Sequence, residues 1–389
     1  MAVNVKVGLI GALDMLKFKN MAKVREQAIQ AAPANEITGE FSVNKLAKEL
    51  HPDYLELKVA EVIEHKDAKS FVFNSTNGKL PYFRAGQYIS LKLEIDGSYI
   101  TRPYSISSGP SWTKDNKIAI TVKRNDEEFA AKWILANLKV GDVLRTSAPE
   151  GQFYFENLRD SKNVVAIAGG SGITPFLSMA YAVADGDEDF NLTILSGSKT
   201  EEDILFKKEF DAIQAKCDKV KVVDVLSEEE KEGYEHGFLT AELIKKYMGE
   251  DPTLFICGNA AMYAFLDGEL AKLDLPARRI RHELRGVAHD VKNDKTYKLT
   301  VKVGPDTHDI EARGDEPILV AIERAGIKAP SKCRGGECGW CRSKLVSGEV
   351  YIPEVNEFRR REDRKQGYIH PCCAFPKSDC VVDVPGEYF

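Results

Sequence analysis

Three cysteines, at 333, 338 and 341, share the short stretch Cys-Arg-Gly-Gly-Glu-Cys-Gly-Trp-Cys, and another, Cys372, follows about thirty residues later. The spacing Cys-x4-Cys-x2-Cys with a distant fourth thiol is the ligand pattern of a [2Fe-2S] centre. A zinc site would more usually present paired Cys-x2-Cys knuckles, and a disulfide pair or ordinary buried cysteines would not need this spacing. Gly335, Gly336 and Gly339 fit the iron–sulfur reading. A loop wrapped round a small anionic cluster needs residues that accept positive φ and let backbone N–H groups face the sulfides.

Downstream, Cys372-Cys373-Ala374-Phe375-Pro376 resembles the fourth-ligand signature of plant-type ferredoxins, with Ala two positions and Pro four positions after the ligand. The resemblance selects Cys372 and leaves Cys373 and Cys380 as core or surface thiols. His370 lies close by, but four thiols already complete the ligand set.

At 389 residues the chain exceeds what one core usually serves, so several domains are expected. A net charge of −6 argues against nucleic acid as a partner. Eight cysteines, four of them in the cluster and the rest scattered, point to a reducing, cytoplasmic compartment rather than a secreted disulfide framework. No run reaches the length of a transmembrane segment. The apolar stretch 7–16 is interrupted by Asp14 and lacks a small-residue cleavage site, unlike a signal peptide.

Residues 1–53 read as a helical extension. Ser42 is placed as an N-cap, and Val43, Leu46, Ala47 and Leu50 fall on one helical face. Leu9, Ile10, Leu13, Leu16 and Phe18 would pack on the chain's own surface, with docking to a partner as the alternative.

From 54 to 157 short β-rich runs at 55–62, 70–73, 87–93, 99–107, 117–123 and 142–147 alternate with turn residues, the pattern of a small antiparallel barrel. Thr101-Arg102-Pro103-Tyr104-Ser105 and Phe83-Arg84-Ala85-Gly86-Gln87-Tyr88 resemble the flavin domain of the ferredoxin-NADP reductase family, which carries an Arg-x-Tyr-Ser/Thr motif. The resemblance implies that Arg102 neutralises a flavin phosphate with its fork of donors. Tyr104 would face the isoalloxazine ring, and Ser105 would hydrogen-bond flavin N5. Where the family often has Gly-x-x-Ser, this chain has Glu128-Phe129-Ala130-Ala131, so FAD is expected with FMN as the alternative. Phosphate contacts would then rest on Arg102 and on backbone N–H groups near 128–131.

Between 158 and 285 strand-like runs at 164–168, 192–195, 220–226 and 254–257 alternate with helical stretches, as in a parallel sheet with crossover helices. Gly169-Gly170-Ser171-Gly172-Ile173-Thr174-Pro175 follows the first run, with Thr174 expected as N-cap and Pro175 in the first turn of a phosphate-facing helix. It resembles the family's pyridine-nucleotide motif. Cys257-Gly258-Asn259-Ala260-Ala261-Met262, read as the end of the last parallel strand, is similar to the family's Cys-Gly-Pro-x-x-Met with Asn259 in place of Pro. The likeness sets Cys257 beside the nicotinamide, aligning it with the flavin rather than acting as a nucleophile. Glu228-Glu229-Glu230 would repel an adenosine 2′-phosphate and Lys199 pulls the other way, so NADH is expected and NADPH is the alternative.

Residues 286–296 read as a linker, and 297–389 as a β-grasp ferredoxin domain with strands at 297–303 and 307–312 and a helix at 317–325. The basic run Arg359-Arg360-Arg361 with Arg364 and Lys365 is read as a solvated loop, a face for an acidic acceptor being the alternative. The three regions in this order resemble the phthalate dioxygenase reductase-like arrangement of the ferredoxin-NADP reductase superfamily. What this implies is an NADH-dependent electron-transfer reductase, with Ser105 and Cys257 where hydride passes. Arg102, Tyr104, Gly169, Gly170, Gly172, Thr174 and Gly258 would hold flavin and dinucleotide, and Cys333, Cys338, Cys341 and Cys372 the cluster. Its acceptor would be a redox protein or partner metalloenzyme such as an oxygenase. The alternatives are a reductase for an anaerobic corrinoid or hybrid-cluster partner, and a non-catalytic relay or redox-sensing subunit.

Overall fold

The structure is a computed structural model and describes residues 9–31, 41–125, 129–283, 286–287 and 291–386. The chain divides into two compact units, Met1–Glu49 and Leu50–Phe389. The first contains α1 (Leu9–Ala31) and most of α2 (Ser42–Leu50). In α1, Leu13, Leu16 and Phe18 are exposed, as are Val43, Leu46 and Leu50 in α2; the side chains of Leu9 and Ile10 lie outside the described residues. Among the described residues no helix is long and apolar enough to cross a membrane.

The larger unit begins with an antiparallel sheet of β1 (Tyr54–Glu64), β2 (Ala68–Ser75), β3 (Tyr88–Ile95), β4 (Ser98–Ser105), β5 (Ile118–Lys123) and β6 (Val143–Ser147), followed in space as β4-β3-β6-β1-β2-β5. An Ile106–Ile120 bridge joins the two edges and curls the sheet towards closure. Alternation along each strand turns Leu57, Val59, Phe71, Phe73, Ile89, Leu91, Ile118 and Ile120 inward. α3 (Phe129–Asn137) adds Ala130, Ala131 and Ile134 to the same core. Glu128 lies outside the described residues.

Next comes a parallel sheet of β7 (Asn163–Gly169), β8 (Asn191–Ser198), β9 (Val220–Leu226), β10 (Glu235–His236), β11 (Thr253–Cys257) and β12 (Ile280–His282). Its helices are α4 (Thr174–Ala184), α5 (Lys207–Gln214), α6 (Ala241–Met248) and α7 (Ala260–Leu270). β7 shows why both faces are covered. Val164, Ala166 and Ala168 join one hydrophobic cluster while Val165 and Ile167 join the other, so the strand reads as a continuous apolar run. The order β10-β9-β8-β7-β11-β12 reverses between β7 and β11, and crevices for ligands open at such reversals, beyond the carboxyl ends of the strands. β11 is not the last parallel strand, as the sequence reading had it. β12 pairs outside it, and at three residues it was too short to show a period.

The C-terminal sheet takes the order β14-β13-β19-β15-β17. It comprises β13 (Thr296–Val303), β14 (Asp306–Arg313), β15 (Ser343–Ser347), β17 (Tyr368–Ile369) and β19 (Cys380–Val384), while β16 (Val350–Tyr351) and β18 (Phe375–Pro376) form a separate pair. α8 (Ile318–Arg324) packs Ile318, Leu319 and Ile322 on Leu299, Val301 and Val382, giving the β-grasp; the short α9 (Arg361–Lys365) lies on the rim. Gly286, Val287 and 291–295 of the expected linker lack regular structure, and 288–290 lie outside the described residues. The linker is nevertheless stitched to this domain, since Asn356 Nδ2 donates to the Gly286 carbonyl at 2.8 Å. Arg359 is not simply solvated: its guanidinium binds Glu357 and the Tyr368 carbonyl.

The three bodies touch through specific groups. Phe153 and Phe155, which follow the barrel, pack on Phe176, Phe255 and Phe190 of the parallel-sheet domain. Ser90 of β3 donates to the Lys332 carbonyl at 3.2 Å, and Thr101 of β4 shares a buried hydrogen bond with Ser331. β4 and its neighbour therefore touch the cysteine-rich loop directly.

Candidate functional site

Ser105 ends β4, Cys257 ends β11, and Glu283 follows β12, held there by its N–H on the Ile256 carbonyl at 3.0 Å. The Ser105 hydroxyl donates to Glu283 Oε1 at 2.8 Å and the Cys257 thiol donates to Oε2. One half-buried carboxylate thus ties the barrel to the parallel sheet. Burial raises the Glu283 pKa, against the pull of the two hydrogen bonds. Burial, and then the neighbouring Glu283 charge, push the Cys257 thiol well up. A thiol so held stays protonated, which agrees with an aligning role and not a nucleophilic one. Sequence reasoning brought Ser105 and Cys257 here but missed Glu283. The available signal was a carboxylate just beyond a strand at the switch point, hidden because that strand is so short.

On the other side of Cys257 the glycine turn makes a cradle. Gly170–Ile173 forms a 3-10 turn after β7. A Cβ on Gly172 would stand 2.0 Å from the Cys257 carbonyl oxygen, and one on Gly169 or Gly258 would stand 2.3 Å from Met262 Sδ. The glycines therefore let the ends of β7 and β11 close on each other and keep a bare backbone facing outward. A cleft of about 580 Å³ opens there, lined by Gly169, Gly170, Lys199, Phe238, Asn259 and Met262 among others. Thr174 is not the N-cap. The 3-10 turn runs straight into α4, Ile173 takes the cap position, and the Thr174 hydroxyl donates to the Ser171 carbonyl at 2.7 Å. Asn259 explains its departure from Pro: it caps α7, its side chain accepting from Met262 N at 2.9 Å. Lys199 is not alone, for its ammonium pairs with Glu228 at 3.0 Å, and Glu229 accepts from Glu201 N at 2.9 Å. A 2′-phosphate would meet carboxylates here, whereas a ribose hydroxyl could donate to one.

Arg102 and Tyr104 lie half-buried on β4, two residues apart and so on one face. Tyr104 packs on the barrel core, and Arg102 Nη1 donates to the Thr101 carbonyl at 2.8 Å. α3 begins at Phe129, and the first backbone N–H groups of a helix have no intrahelical partner. Arg102 and Tyr104, side by side on β4, suit a flavin nucleotide.

Inside the cysteine loop Cys333 neighbours Cys338, while Cys341 neighbours Cys372, which also touches Cys373. Hydrogen bonding from Cys333 is the first cause holding the Cys338 thiol down at about 7. Hydrogen bonding with Cys341 is the first cause lowering the Cys372 thiol, and the same contact is the first cause raising Cys341 well up. Among the described residues no group of three or more His, Cys, Asp and Glu side chains could hold a metal ion. Two pairs of thiols suit a binuclear centre better than a tetrahedral zinc. Backbone amides face the sulfurs: Gly335 N and Cys338 N point at Cys333 Sγ at 3.5 and 3.4 Å, and Trp340 N at Cys338 Sγ at 3.4 Å. Gly336 and Gly339 take positive φ, but Gly335 does not. Arg334 turns left-handed instead, its guanidinium anchored on buried Glu323 at 3.0 Å. Cys373 and Cys380 are buried, and His370 Nδ1 is spent on the Gly336 carbonyl at 2.6 Å.

Residues 55–155 match the oxidoreductase FAD-binding domains, 166–267 the oxidoreductase NAD-binding domains, and 301–377 the 2Fe-2S iron-sulfur cluster binding domains. The chain is 30% identical over 350 residues to the ferredoxin reductase component of 3-ketosteroid-9-alpha-monooxygenase from Mycobacterium tuberculosis (strain ATCC 25618 / H37Rv), covering 84% of this chain and 94% of that protein. It is 27% identical over 348 residues to the glycine betaine monooxygenase reductase subunit of Chromohalobacter salexigens, with the same coverage. Its fold matches phthalate dioxygenase reductase with a TM-score of 0.62 at 24% identity, over 85% of this chain and 98% of that one.

Proposed function

The chain belongs to the three-domain flavin and iron–sulfur reductases of the ferredoxin-NADP reductase superfamily, in the phthalate dioxygenase reductase order, and we propose that it carries electrons from NADH to an oxygenase partner. When bound, the flavin accepts an electron pair from NADH and releases it singly, and the [2Fe-2S] centre carries one electron at a time. The protein binds and orients. Gly169, Gly170, Gly172 and Gly258 hold the dinucleotide at the β7–β11 reversal, with Thr174 bracing the turn. Arg102 and Tyr104 hold the flavin phosphate and ring. Ser105 and Cys257 would border the place where hydride passes, and Glu283 holds both their hydrogens until a bound cofactor competes for them. Cys333, Cys338, Cys341 and Cys372 take the cluster. The eight cysteines, all unpaired, support a reducing, cytoplasmic setting.

The observation that carries this reading is Glu283 joining Ser105 to Cys257, on the strand whose neighbour touches the cluster loop. The test is anaerobic addition of NADH to the purified chain. Bleaching of a flavin band followed by the EPR signal of a reduced binuclear centre is expected. A preparation without flavin, or one containing zinc and no iron, would overturn the assignment.

A further inference from the structure

A cleft of about 750 Å³ leads from Glu283 to Cys338, and Tyr88, Glu150, Lys332 and Trp340 line it. These four residues form a connected series between the two redox sites, by backbone from Tyr88 to Glu150 and by side chains from Glu150 through Lys332 to Trp340. Tyr88 is the cross-strand partner of Ser105 and is bound to Glu150 through both backbone groups, at 2.9 and 2.8 Å. Its ring is held from beneath by Gly151, where a Cβ would come within 2.8 Å of it. The Glu150 carboxylate forms an ion pair with the Lys332 ammonium. That ammonium also lies 3.7 Å from the centre of the Trp340 ring, inside the cluster loop.

Lys332 immediately precedes Cys333, and its side chain is only 12% exposed, Glu150's 23%. An ion pair this sheltered is screened little by salt, and removing either partner leaves the other charge poorly solvated. It therefore restrains the loop more firmly than a surface pair would. We propose that Glu150 and Lys332 are positioning residues that clasp the cluster loop onto the barrel strand bearing Tyr88, and so set the gap that electrons cross between flavin and cluster. The proposal rests on the reductase reading above. Electron transfer between sites falls steeply with distance and with any solvent-filled gap, so a loosened loop slows this step and leaves the hydride step alone.

The experiment uses the full chain with flavin and cluster in place, comparing Glu150→Gln, Lys332→Met and the exchanged pair Glu150→Lys with Lys332→Glu. Stopped-flow spectroscopy separates flavin reduction by NADH from the later reduction of the cluster. Amide hydrogen exchange over 86–91 and 329–334, without NADH, reads the contact itself. Glu150→Gln should leave flavin reduction unchanged and slow cluster reduction by about tenfold. It should also speed exchange in both segments, and the exchanged pair should recover much of both effects. Glu150 is remote from the ligands in sequence, so it carries the test even if Lys332→Met loses iron. Faster exchange with an unchanged cluster-reduction rate would make the pair a structural contact only and overturn the proposal, as would unaltered exchange. Failure of the unmodified protein to bleach with NADH would instead sink the reductase reading, while the exchange measurements still judge the clasp.

Discussion

Cys333, Cys338 and Cys341 share one loop, whereas Ser105, Cys257 and Glu283 come from the ends of strands in two different sheets. The loop carries its chemistry in its own spacing and needs only Cys372 from elsewhere. The junction exists only because the barrel and the parallel sheet dock so that one carboxylate reaches both neighbours. The two should therefore fail independently, and separating them gives the largest predicted effect. Cys338→Ser should abolish the EPR signal of the reduced binuclear centre while NADH still bleaches the flavin. Cys372→Ala should do the same, and Cys373→Ala should keep the signal, because Cys373 is turned towards the Asn356 and His370 carbonyls. A full signal in Cys338→Ser, or loss of flavin reduction with it, would break the separation.

Glu283→Gln attacks the other member of the pair. Iron content should be untouched and flavin reduction by NADH should slow by about a hundredfold, the range of a lost proton-positioning group. Burial raises the Glu283 pKa, so in the unmodified protein the fast phase should weaken as pH falls through that raised value, when protonation removes an acceptor from Ser105 or Cys257. The variant should lack that limb. Stability runs the opposite way: a carboxyl whose folded pKa is raised favours the fold most below its unfolded value, and that contribution is lost as pH rises through the folded one. The variant should accordingly melt higher than the parent on the alkaline side. An unchanged acid limb in its pH profile would show that another group titrates there.

How much could be read from the chain follows the same division. The barrel strands, the parallel strands around the glycine turn and α8 were legible because each has a local cause, period-two alternation or a continuous apolar run, and spacing alone marked the four thiols as candidates. β12 and Glu283 were not, since three residues carry no period and the carboxylate's partners lie 178 and 26 positions away. Thr174 was placed one position out, because a 3-10 turn that merges into a helix leaves no break for a capping hydroxyl to mark. Arg334 took the left-handed conformation expected of Gly335. Its ion pair with Glu323 of α8 lies in tertiary structure and not in the loop's glycine content.

Gly172→Ala tests where the junction borrows from local sequence. The added methyl would fall 2.0 Å from the Cys257 carbonyl oxygen, and since that oxygen is backbone and a Cβ cannot swing aside, the ends of β7 and β11 must part. Overpacking of this kind costs about 1–3 kcal/mol of stability. The KM for NADH should rise roughly tenfold as the cradle and Cys257 lose their mutual placement. Thermal melts and steady-state kinetics measure the two together. A destabilised variant with an unchanged KM would mean that the turn supports the fold without shaping the nucleotide site.

The smallest effect is expected at the far end of the same cleft. Lys199 and Glu228 are both largely exposed and form an ion pair at 3.0 Å, so this base near the expected 2′ position is already matched by an acid. Glu228→Gln should release Lys199 and improve kcat/KM for NADPH by about threefold, the modest size typical of an exposed charge pair. NADH should be nearly unaffected, because a ribose hydroxyl has other acceptors nearby in the Glu229 carboxylate and the backbone. The gain should shrink as salt is raised, since exposed charges are screened within about 10 Å at 0.1 M ionic strength. A gain that persists in high salt would point to direct steric relief, and an equal change with both nucleotides would place the adenosine ribose away from Glu228 altogether.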